Sequence, residues 1–592
     1  MNLRRKLLAF LQSQKKTAEY TELEYLESTG TQWIDTGVKG YITCEITAQG
    51  SISATTSNVI IGTTGDGGSF FGSYGSTNKW SVGAGTNATS DVSFTEKKTF
   101  TIRFLSTETT NFTVDGKTYS RTESTVDTSY NYALFLCMRD KDYPAYAKIY
   151  SCKIWNETGL LIRDFIPVLD KDLVPCMYDK ITGKYLYNQG DGEFKWKLPN
   201  QLEYLESDGE QWLNLDYIPT AETGLHIKVA LVGQGDMVIC GSRNDTNYTR
   251  LFLSSTYSSA NVPVPFISIG RGTYLYLQLN GSFVSSTSDL TIPFNTVYEQ
   301  YTNYKNSKVV RFVDDTRDVT SVEIPELTFT PNQPLYLFAG NIAGVKNYAY
   351  KGKIYSCEIT EGDKIIMYLI PVFDENLTPC MYDLVSKQYF RNQGTGSFKG
   401  YFEDGSLLVS YLSATGTQWI DTGITPLMGD EIELKNVQCN KKGSGYQAVF
   451  SAGTGDYQTI LLVGDGATYR TAFYKYFATG GAQNVDEPFN LNNLTKIKVD
   501  GEGSIYYNDE FVIQSPPVQE TDSSLRLFYR ANNSSPMTGN IGAVSIKRDG
   551  NFVVNLVPVV KSDNTVCMLD LVSKQYFVNQ GSGSFSYGTE SS

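Results

Sequence analysis

Histidine is nearly absent from this sequence, since 592 residues contain a single one, His226. Catalytic arrangements of the Ser-His-Asp and Cys-His types need a histidine at each active site, and many protein zinc sites also use histidine. One histidine cannot serve the three repeated regions described below. His226 also lies in an alternating, strand-like segment, 225–229, so we expect it to have a structural role.

Long apolar runs and an excess of basic charge are also missing. No segment approaches the roughly 18 apolar residues of a membrane-spanning helix. The 63 acidic residues outnumber the 50 basic ones, for a formal net charge of −13, whereas nucleic-acid binding depends on basic surfaces. We therefore expect neither a membrane nor a nucleic acid among the partners. The basic N-terminus is followed by only five apolar residues, too few for a secretory signal.

Two phrases occur three times, and each pair of phrases encloses a domain-sized stretch. The opening phrase, 29–37, returns letter for letter at 415–423 and in a drifted form at 208–214. The closing phrase combines Cys-Met-x-Asp with a later Asn-Gln-Gly. Each copy spans about 190 residues, far more than the roughly 20–50 of a solenoid repeat and enough to bury a core. We predict an N-terminal segment, 1–17, and three domains, 18–198, 199–402 and 403–592, whose first and last strands lie close together.

The nine cysteines do not recur as a disulfide pattern. Counting fifteen positions back from the proline that precedes the closing phrase gives Cys152 in the first copy and Ala543 in the third. Cys567 nevertheless matches Cys176, so a bridge between the two positions would lose a partner in the third copy. We therefore expect small buried thiols, in a chain assembled in a reducing cytoplasm.

Patterns of paired catalytic carboxylates are not found. Glycosidases need two carboxylates that face one cleft, and the nearest acidic cluster, 430–433, has no counterpart in the other copies. The Gly-rich segment 62–68 lacks the Lys-Ser/Thr ending of a phosphate-binding loop. We expect no enzymatic activity, no catalytic residues and no cofactor or metal. A Ca²⁺ site made of loop aspartates stays open, although no spaced acidic loop occurs in all three copies.

The chain is dominated by strand signals. Short alternating segments, rich in the 41 tyrosines and 30 phenylalanines, end in turn residues about every 8–12 positions. Asp115-Gly116 predicts a hairpin within 112–118, and segment 505–512 of the third copy is similar. Segments 148–154 and 353–359 predict long regular strands. The fold class that we predict is all-β, with three tandem β-sandwiches of antiparallel sheets preceded by a short N-terminal helix.

The predicted helix covers residues 2–16. Its apolar stripe and basic front are formed by Leu3, Leu7, Phe10 and Leu11 and by Arg4, Arg5 and Lys6. An isolated helix of about 15 residues is marginal in water, so we expect this one to bind a partner surface. Docking onto a larger assembly is one interpretation. Packing on the chain's own first domain, or a disordered tail, is the other.

The opening phrase contains the candidate ligand-binding residues, which are Trp33, Asp35, Trp212, Trp419 and Asp421. The indole rings would stack on sugar rings, and the carboxylates would accept hydrogen bonds from hydroxyl groups. Strand alternation places each tryptophan on one face, so a core position is the favoured alternative. The Asn-Gln-Gly motifs predict hairpin turns, since Asn and Gly readily adopt positive φ.

These phrases carry a family likeness. Segment 23–37, followed by 148–154, 163–167 and 178–190, resembles the start and end of laminin G-like (concanavalin A-like) jelly-roll domains. We associate this version of the domain with structural proteins of gut bacteriophages and with surface proteins of their hosts. The resemblance covers nearly all residues from about 20 to 588, and it implies rigid jelly-roll β-sandwiches that display or bind, commonly glycans.

Three functional hypotheses follow. The leading one is a non-enzymatic virion surface protein (a head fibre, capsid decoration or tail-fibre-type adhesin) whose N-terminal helix binds a capsid or tail protein. The second is a bacterial cell-surface adhesin that binds glycans. The third is a polysaccharide-degrading enzyme. The sequence contains no heptads that would specify a coiled-coil oligomer. A homo-oligomer formed through β-structure stays open.

Overall fold

A computed structural model describes most of the chain between residues 20 and 589. The gaps within this range are 40–41, 52–57, 64–69, 74–77, 84–86, 105–108, 123–132, 138–144, 245–248, 258–262, 272, 276–277, 280–281, 284–292, 304–308, 315–317, 321–330, 441–446, 454–457, 464–469, 477–482, 489–493, 515–516, 519 and 531–534. The predicted helix 2–16, with its proposed anchoring residues, lies outside the described residues.

The described residues form strands and connecting turns and contain no helix, so the all-β prediction is confirmed. No helix suited to crossing a membrane is present in this part of the chain. The chain divides into two compact units, Met1–Pro199 and Asn200–Ser592. The second and third copies of the repeated phrases both belong to the second unit. The division into three domains stays a prediction.

The first unit contains two antiparallel sheets. The larger consists of Thr21–Glu22, Tyr25–Thr29, Ile42–Gly50, Lys98–Phe104, Thr109–Val114, Lys117–Thr122, Tyr146–Asn156, Leu161–Leu169, Pro175–Asp179, Lys184–Leu186 and Lys195–Lys197. The smaller consists of Ile34–Lys39, Asn58–Thr63, Phe70–Ser73, Lys79–Gly83, Asn87–Ser93 and Ala133–Leu136.

In the second unit, strand pairing joins the larger sheets of the second and third copies. Their strands are Tyr204–Asp208, Thr223–Leu231, Tyr298–Asn303, Val309–Asp314, Asp318–Thr320, Lys351–Glu361, Lys364–Phe373, Pro379–Asp383, Tyr389–Phe390, Lys399–Tyr401, Leu407–Leu408, Tyr411–Thr415, Glu431–Cys439, Thr495–Val499, Ser504–Tyr507, Glu510–Gln514, Thr538–Ile541, Val544–Arg548, Asn551–Val560, Val566–Asp570, Tyr576–Phe577 and Ser586–Gly588. The link is made by Leu407–Leu408, which pairs with Tyr401 on one side and with Val559 and Val560 on the other.

The remaining strands of the second unit form smaller sheets. In the second copy their strands are Leu213–Asn214, Met237–Arg243, Thr249–Tyr257, Pro263–Arg271, Thr273–Leu275, Gln278–Leu279, Ser282–Phe283, Tyr336–Leu337, Ala339–Ile342 and Val345–Asn347. In the third copy they are Ile420–Asp421, Gln447–Ala452, Gln458–Val463, Arg470–Tyr476, Gln483–Pro488 and Arg526–Leu527. Met237–Arg243 pairs with Ala339–Ile342 in parallel, which departs from the purely antiparallel prediction.

Each pair of sheets encloses apolar side chains. In the first unit, Phe71 and Trp80 of the smaller sheet meet Phe100 of the larger, with the Trp80 and Phe100 ring centroids 4.4 Å apart. All three rings are fully buried. In the third copy, Ile432 and Phe450 come from opposite sheets and share one buried cluster. Large buried rings contribute most to the hydrophobic stabilisation of such a core, and two-layer packing is confirmed.

The predicted local features occur as strands and turns. Asp115 and Gly116 have φ of 49° and 75° between two paired strands, as a two-residue hairpin turn of mirror-image type requires. Asn508 and Asp509 form the corresponding turn in the third copy, with φ of 49° and 68°. In each copy the first five-residue strand pairs with the last strand, which has three residues, as the short connections predicted.

All nine cysteines lie in the described residues, where each is a buried free thiol. The Sγ atoms of Cys44 and Cys152 are 3.5 Å apart. Burial raises the pKa of Cys439 to about 12, so this thiol stays protonated and unreactive at neutral pH. The prediction of buried thiols is confirmed.

The predicted match between Cys152 and Ala543 is wrong by one residue. Cys152 pairs with Phe165, and the corresponding pair in the third copy is Val544 with Leu556. The first copy has one more residue between the paired positions, and a count along the chain cannot detect this. The conclusion against a repeated disulfide is unchanged, because valine also lacks a thiol.

Candidate functional site

The opening and closing phrases of the first copy are hydrogen-bonded to each other. The backbone N–H of Trp33 donates to Oδ1 of Asn188 over 3.0 Å. The N–H of Gln189 donates to the carbonyl of Trp33 over 2.8 Å. The two phrases therefore recur together because they build one substructure, which we call the tryptophan edge.

The same edge is built in the other two copies. Trp212 donates its backbone N–H to Asn392 and Trp419 donates to Asn579, each over 3.1 Å. In both copies the glutamine that follows the asparagine returns a bond to the tryptophan carbonyl over 2.9 Å. Drift within the opening phrase of the second copy has not altered this geometry, since the opening phrase contributes only backbone groups to these bonds.

The glycine of each Asn-Gln-Gly motif allows two backbones to approach closely. A Cβ on Gly190, Gly394 or Gly581 would lie 1.9 Å from a carbonyl oxygen of the opening phrase. None of these three glycines has positive φ. The prediction that the motif supplies positive-φ turn positions is therefore wrong. The motif keeps glycine because a side chain has no space there.

A buried glutamine closes the turn before each tryptophan. Oε1 of Gln32 accepts the backbone N–H of Thr29 over 2.8 Å, and Gln418 accepts that of Thr415 over 2.9 Å. Both side-chain amides are nearly inaccessible to solvent. These glutamines are not among the residues predicted from the sequence. Their recurrence directly before each tryptophan is the sequence signal that indicates a fixed structural role.

The aspartate of the closing phrase is a buried acceptor for the turn that follows it. Asp179, Asp383 and Asp570 are at most 2 % exposed. Asp570 accepts backbone N–H groups from Asn555, Val572 and Ser573 over 2.8 to 3.1 Å, and also the Ser573 hydroxyl. A buried carboxylate needs such partners. These three aspartates therefore have a structural role.

The indole rings are partly buried, between the core and ligand-platform alternatives. Trp212 lies against Tyr336, with ring centroids 4.3 Å apart. In the third copy the guanidinium of Arg526 lies 4.6 Å from the centroid of Trp419, and Tyr529 stacks on the same ring at 6.3 Å. Arg526 was missed from the sequence, because it is not part of a repeated phrase.

The two candidate aspartates take part in local turns. Asp35 is exposed and accepts the N–H of Gly37 over 2.8 Å. Asp421 accepts the N–H of Gly423 over 2.9 Å and the hydroxyl of Ser524, and its second oxygen is 3.8 Å from Nε of Arg526. In the third copy the tryptophan edge therefore brings together an indole, a carboxylate and a guanidinium. A ligand role for these five residues stays a prediction.

The remaining acidic cluster is neutralised by neighbours. The buried carboxylate of Asp430 accepts two hydrogen bonds from Arg548, each over 2.9 Å, and this raises the pKa of the arginine. Glu431 lies 2.9 Å from Lys498, and Glu433 lies 3.5 Å from Lys496. Each acidic side chain thus has its own basic partner.

The single histidine also takes part in a pair. Nε2 of His226 lies 3.3 Å from Oε2 of Glu299 on the neighbouring strand. His226 is part of strand Thr223–Leu231, as its alternating segment predicted. Within the described part of the chain, no group of three or more His, Cys, Asp or Glu side chains is arranged to hold a metal ion. The expectation of no cofactor stays a prediction.

Comparisons with known proteins show similarity to solved structures alone. No family model matches the sequence, and no curated protein is similar to it. The chain is similar to domains LG4-5 of the mouse laminin alpha1 chain, with a TM-score of 0.22 and 10% identity, over 59% of this chain and 93% of that one. It is also similar to the LG1-3 region of the laminin alpha2 chain, with a TM-score of 0.22 and 11% identity, over 89% and 96%. The two-layer packing is shown by the strand pairings and by the buried contacts between sheets, such as those of Phe71 and Trp80 with Phe100.

Proposed function

We propose that this chain is a non-enzymatic surface protein that displays β-sandwiches and binds glycans through the tryptophan edge of its third copy. The observation that carries the proposal is the set of side chains around Trp419. A partly buried indole lies beside the guanidinium of Arg526 and the carboxylate of Asp421. An aromatic face and polar groups close to each other are what a sugar ring requires, because a sugar has both C–H faces and hydroxyl groups.

If the chain binds glycans at Trp419, the Trp419→Ala variant should bind them more weakly. The intact chain should bind to a polysaccharide from a bacterial surface or from mucus. Loss of one stacked ring should weaken the affinity by roughly tenfold, about 1.4 kcal/mol. Isothermal titration calorimetry against a soluble glycan would measure this, after a glycan array has identified a ligand.

The matched control for that experiment is Lys547→Ala. Lys547 belongs to another cation–aromatic pair of the same copy, with its Nζ 4.7 Å from the Phe552 centroid. That pair lies on the larger sheet. Thermal unfolding of both variants would separate a lost contact from a lost fold. The proposal is wrong if no glycan binds, or if Trp419→Ala binds as tightly as Lys547→Ala. Release of reducing ends from the glycan would contradict the non-enzymatic part.

The finer part of the proposal places the chain on a bacteriophage particle, as a head fibre, decoration protein or tail-fibre-type adhesin. Its support is the resemblance of the repeated phrases to domains of phage structural proteins. The basic, amphipathic segment 1–17 would attach the chain to a capsid or tail protein.

The particle part predicts that attachment depends on the N-terminal segment. A chain without residues 1–17 should keep its folded sheets and should be missing from purified particles. Cryo-electron microscopy of particles, together with circular dichroism of the truncated chain, would measure both properties. Normal incorporation of the truncated chain would refute the anchor, and absence of the full chain from all particles would refute the placement.

A further inference from the structure

A row of tyrosines covers the outer surface of the closing hairpin in the first unit. Ring centroids lie 4.8 Å apart for Tyr20 and Tyr178, 5.1 Å for Tyr178 and Tyr185, and 6.4 Å for Tyr185 and Tyr187. Beneath them is a small buried cluster formed by Ile166, Val168 and Cys176. Tyr187, at the end of the row, is 40% exposed. We call these four rings the tyrosine face.

The corresponding surface of the third copy is covered by the chain that precedes it. Strand register matches Ile166, Val168, Cys176 and Tyr178 of the first copy to Val557, Val559, Cys567 and Leu569 of the third. These four residues of the third copy are at most 6% exposed. They belong to one buried cluster with Phe402 and Leu408, which come just before the first long strand of that copy.

Polar contacts close the same junction. The hydroxyl of Tyr576, which matches Tyr185, donates to the carboxylate of Asp404 and lies 3.3 Å from Oγ of Ser406. Across the junction, Nζ of Lys435 donates to the carbonyl of Glu375 over 2.7 Å. The closing hairpin of the third copy is therefore covered by the chain segment that contains Phe402, Asp404 and Leu408.

The second copy shows a shorter form of the same arrangement. Asn200 donates its side-chain N–H to the carbonyl of Phe373 over 2.6 Å, and Gln201 pairs with Val372. Leu202 donates its backbone N–H to Pro371 over 3.0 Å. In both copies, the residues directly before the first long strand lie on the closing hairpin.

In the first unit, residues 20–22 make the corresponding contacts with the closing hairpin, and the residues before them lie outside the described part of the chain. Thr21 and Glu22 pair with the hairpin strand at Leu169 and Val168, and Tyr20 lies on Tyr178. The chain before Tyr20 is segment 1–19, which carries the apolar residues Leu3, Leu7, Phe10 and Leu11. The eight residues 12–19 span up to roughly 28 Å when extended, which is ample for a face that Tyr20 itself touches.

We infer that in the isolated chain the apolar stripe of segment 1–19 lies on the tyrosine face. A short amphipathic segment gains stability only against a partner surface, and the face supplies partly exposed aromatic rings immediately beside it. Burial of about four apolar side chains gives the contact its driving force. Attachment to another protein through the same stripe then requires the stripe to leave this face. The inference goes beyond the proposed function and does not depend on glycan binding.

Disulfide trapping in the full chain tests the contact. Phe10→Cys combined with Tyr185→Cys should give an intramolecular crosslink in the monomer after mild oxidation with copper phenanthroline, detected by peptide mass spectrometry. The matched control combines Phe10→Cys with Tyr389→Cys, since Tyr389 holds the same register position in the second copy and is 41% exposed. The native thiols are buried and should not compete. We expect at least tenfold more crosslink with Tyr185→Cys than with the control.

Equal yields in the two double variants would overturn the inference, as would crosslinks that form only between two chains. Hydrogen–deuterium exchange supplies a second readout that needs no cysteine. Removal of residues 1–17 should speed amide exchange in Pro175–Asp179 and Lys184–Leu186 by tenfold or more, with no change in Pro379–Asp383. Unchanged exchange in the first-unit hairpin would equally refute the contact.

Discussion

Replacing Gly581 by alanine should destabilise the second unit by about 3 kcal/mol, because the new methyl group has no space. Its Cβ would lie 1.9 Å from the carbonyl oxygen of Thr417 and 2.9 Å from Cδ1 of Trp419. The closing loop would have to move away from the opening strand. That movement breaks the bonds that join Trp419 to Asn579 and Gln580.

Gly550→Ala is the control for Gly581→Ala in the same copy. Gly550 has φ of 79° and nothing within 4 Å of the added Cβ, so alanine there costs only the strain of a left-handed backbone, about 1 kcal/mol. Urea unfolding followed by tryptophan fluorescence would compare the two variants. A Gly581→Ala cost no larger than that of Gly550→Ala would show that the close approach of the two phrases is not needed for stability.

The Asp570→Ala variant should have the second largest effect, a loss of about 2–3 kcal/mol in the free energy of unfolding. The substitution removes the acceptor of three backbone N–H groups and one hydroxyl, and buried donors without partners are costly. Asp570→Asn retains one acceptor oxygen, so we expect it to lose less stability than the alanine variant. Calorimetric unfolding of the intact chain would measure both.

Asp563→Ala separates this effect from the general loss of a carboxylate. Asp563 lies just before the same strand, accepts the N–H of Thr565 over 2.9 Å and is 59% exposed at its side chain. Water replaces a bond at such a site, so we expect a cost below about 1 kcal/mol. Similar melting temperatures for Asp563→Ala and Asp570→Ala would contradict the role assigned to the buried aspartate.

The repeated phrases have a structural role in each copy. Tryptophan, asparagine and aspartate recur at the ends of each copy, and such residues invite an interpretation as a ligand site. The backbone N–H of Trp33 and the side-chain amide of Asn188 join the two ends of one copy, whereas the carboxylate of Asp179 accepts the backbone N–H of Asp164 on the neighbouring strand. Repetition therefore reflects the requirements of the fold first. The glycan binding that we propose would use the partly buried indole faces and neighbours such as Arg526.

The failures of sequence reasoning have a common cause. The Asn-Gln-Gly pattern predicts a local turn with positive φ, whereas the glycine is needed because the carbonyl oxygen of Thr31 leaves no space for a side chain at Gly190. Counting along the chain matches Ala543 to Cys152, because a count does not detect the additional residue that the first copy has between the paired positions. The three-domain division, the anchoring helix, the glycan and the virion stay predictions.

Local chemistry was sufficient for the strands and their turns. Alternation of apolar side chains has a period of two residues, and a two-residue turn depends on its own φ angles, so both can be read within a window of ten residues. The bond from Trp33 to Asn188 joins positions 155 residues apart. The contacts that cover the closing hairpins also join residues that are far apart in the chain, such as Asn200 and Phe373. Only the tertiary structure decides these, because they depend on which strands become neighbours, and no short stretch of chain contains that information.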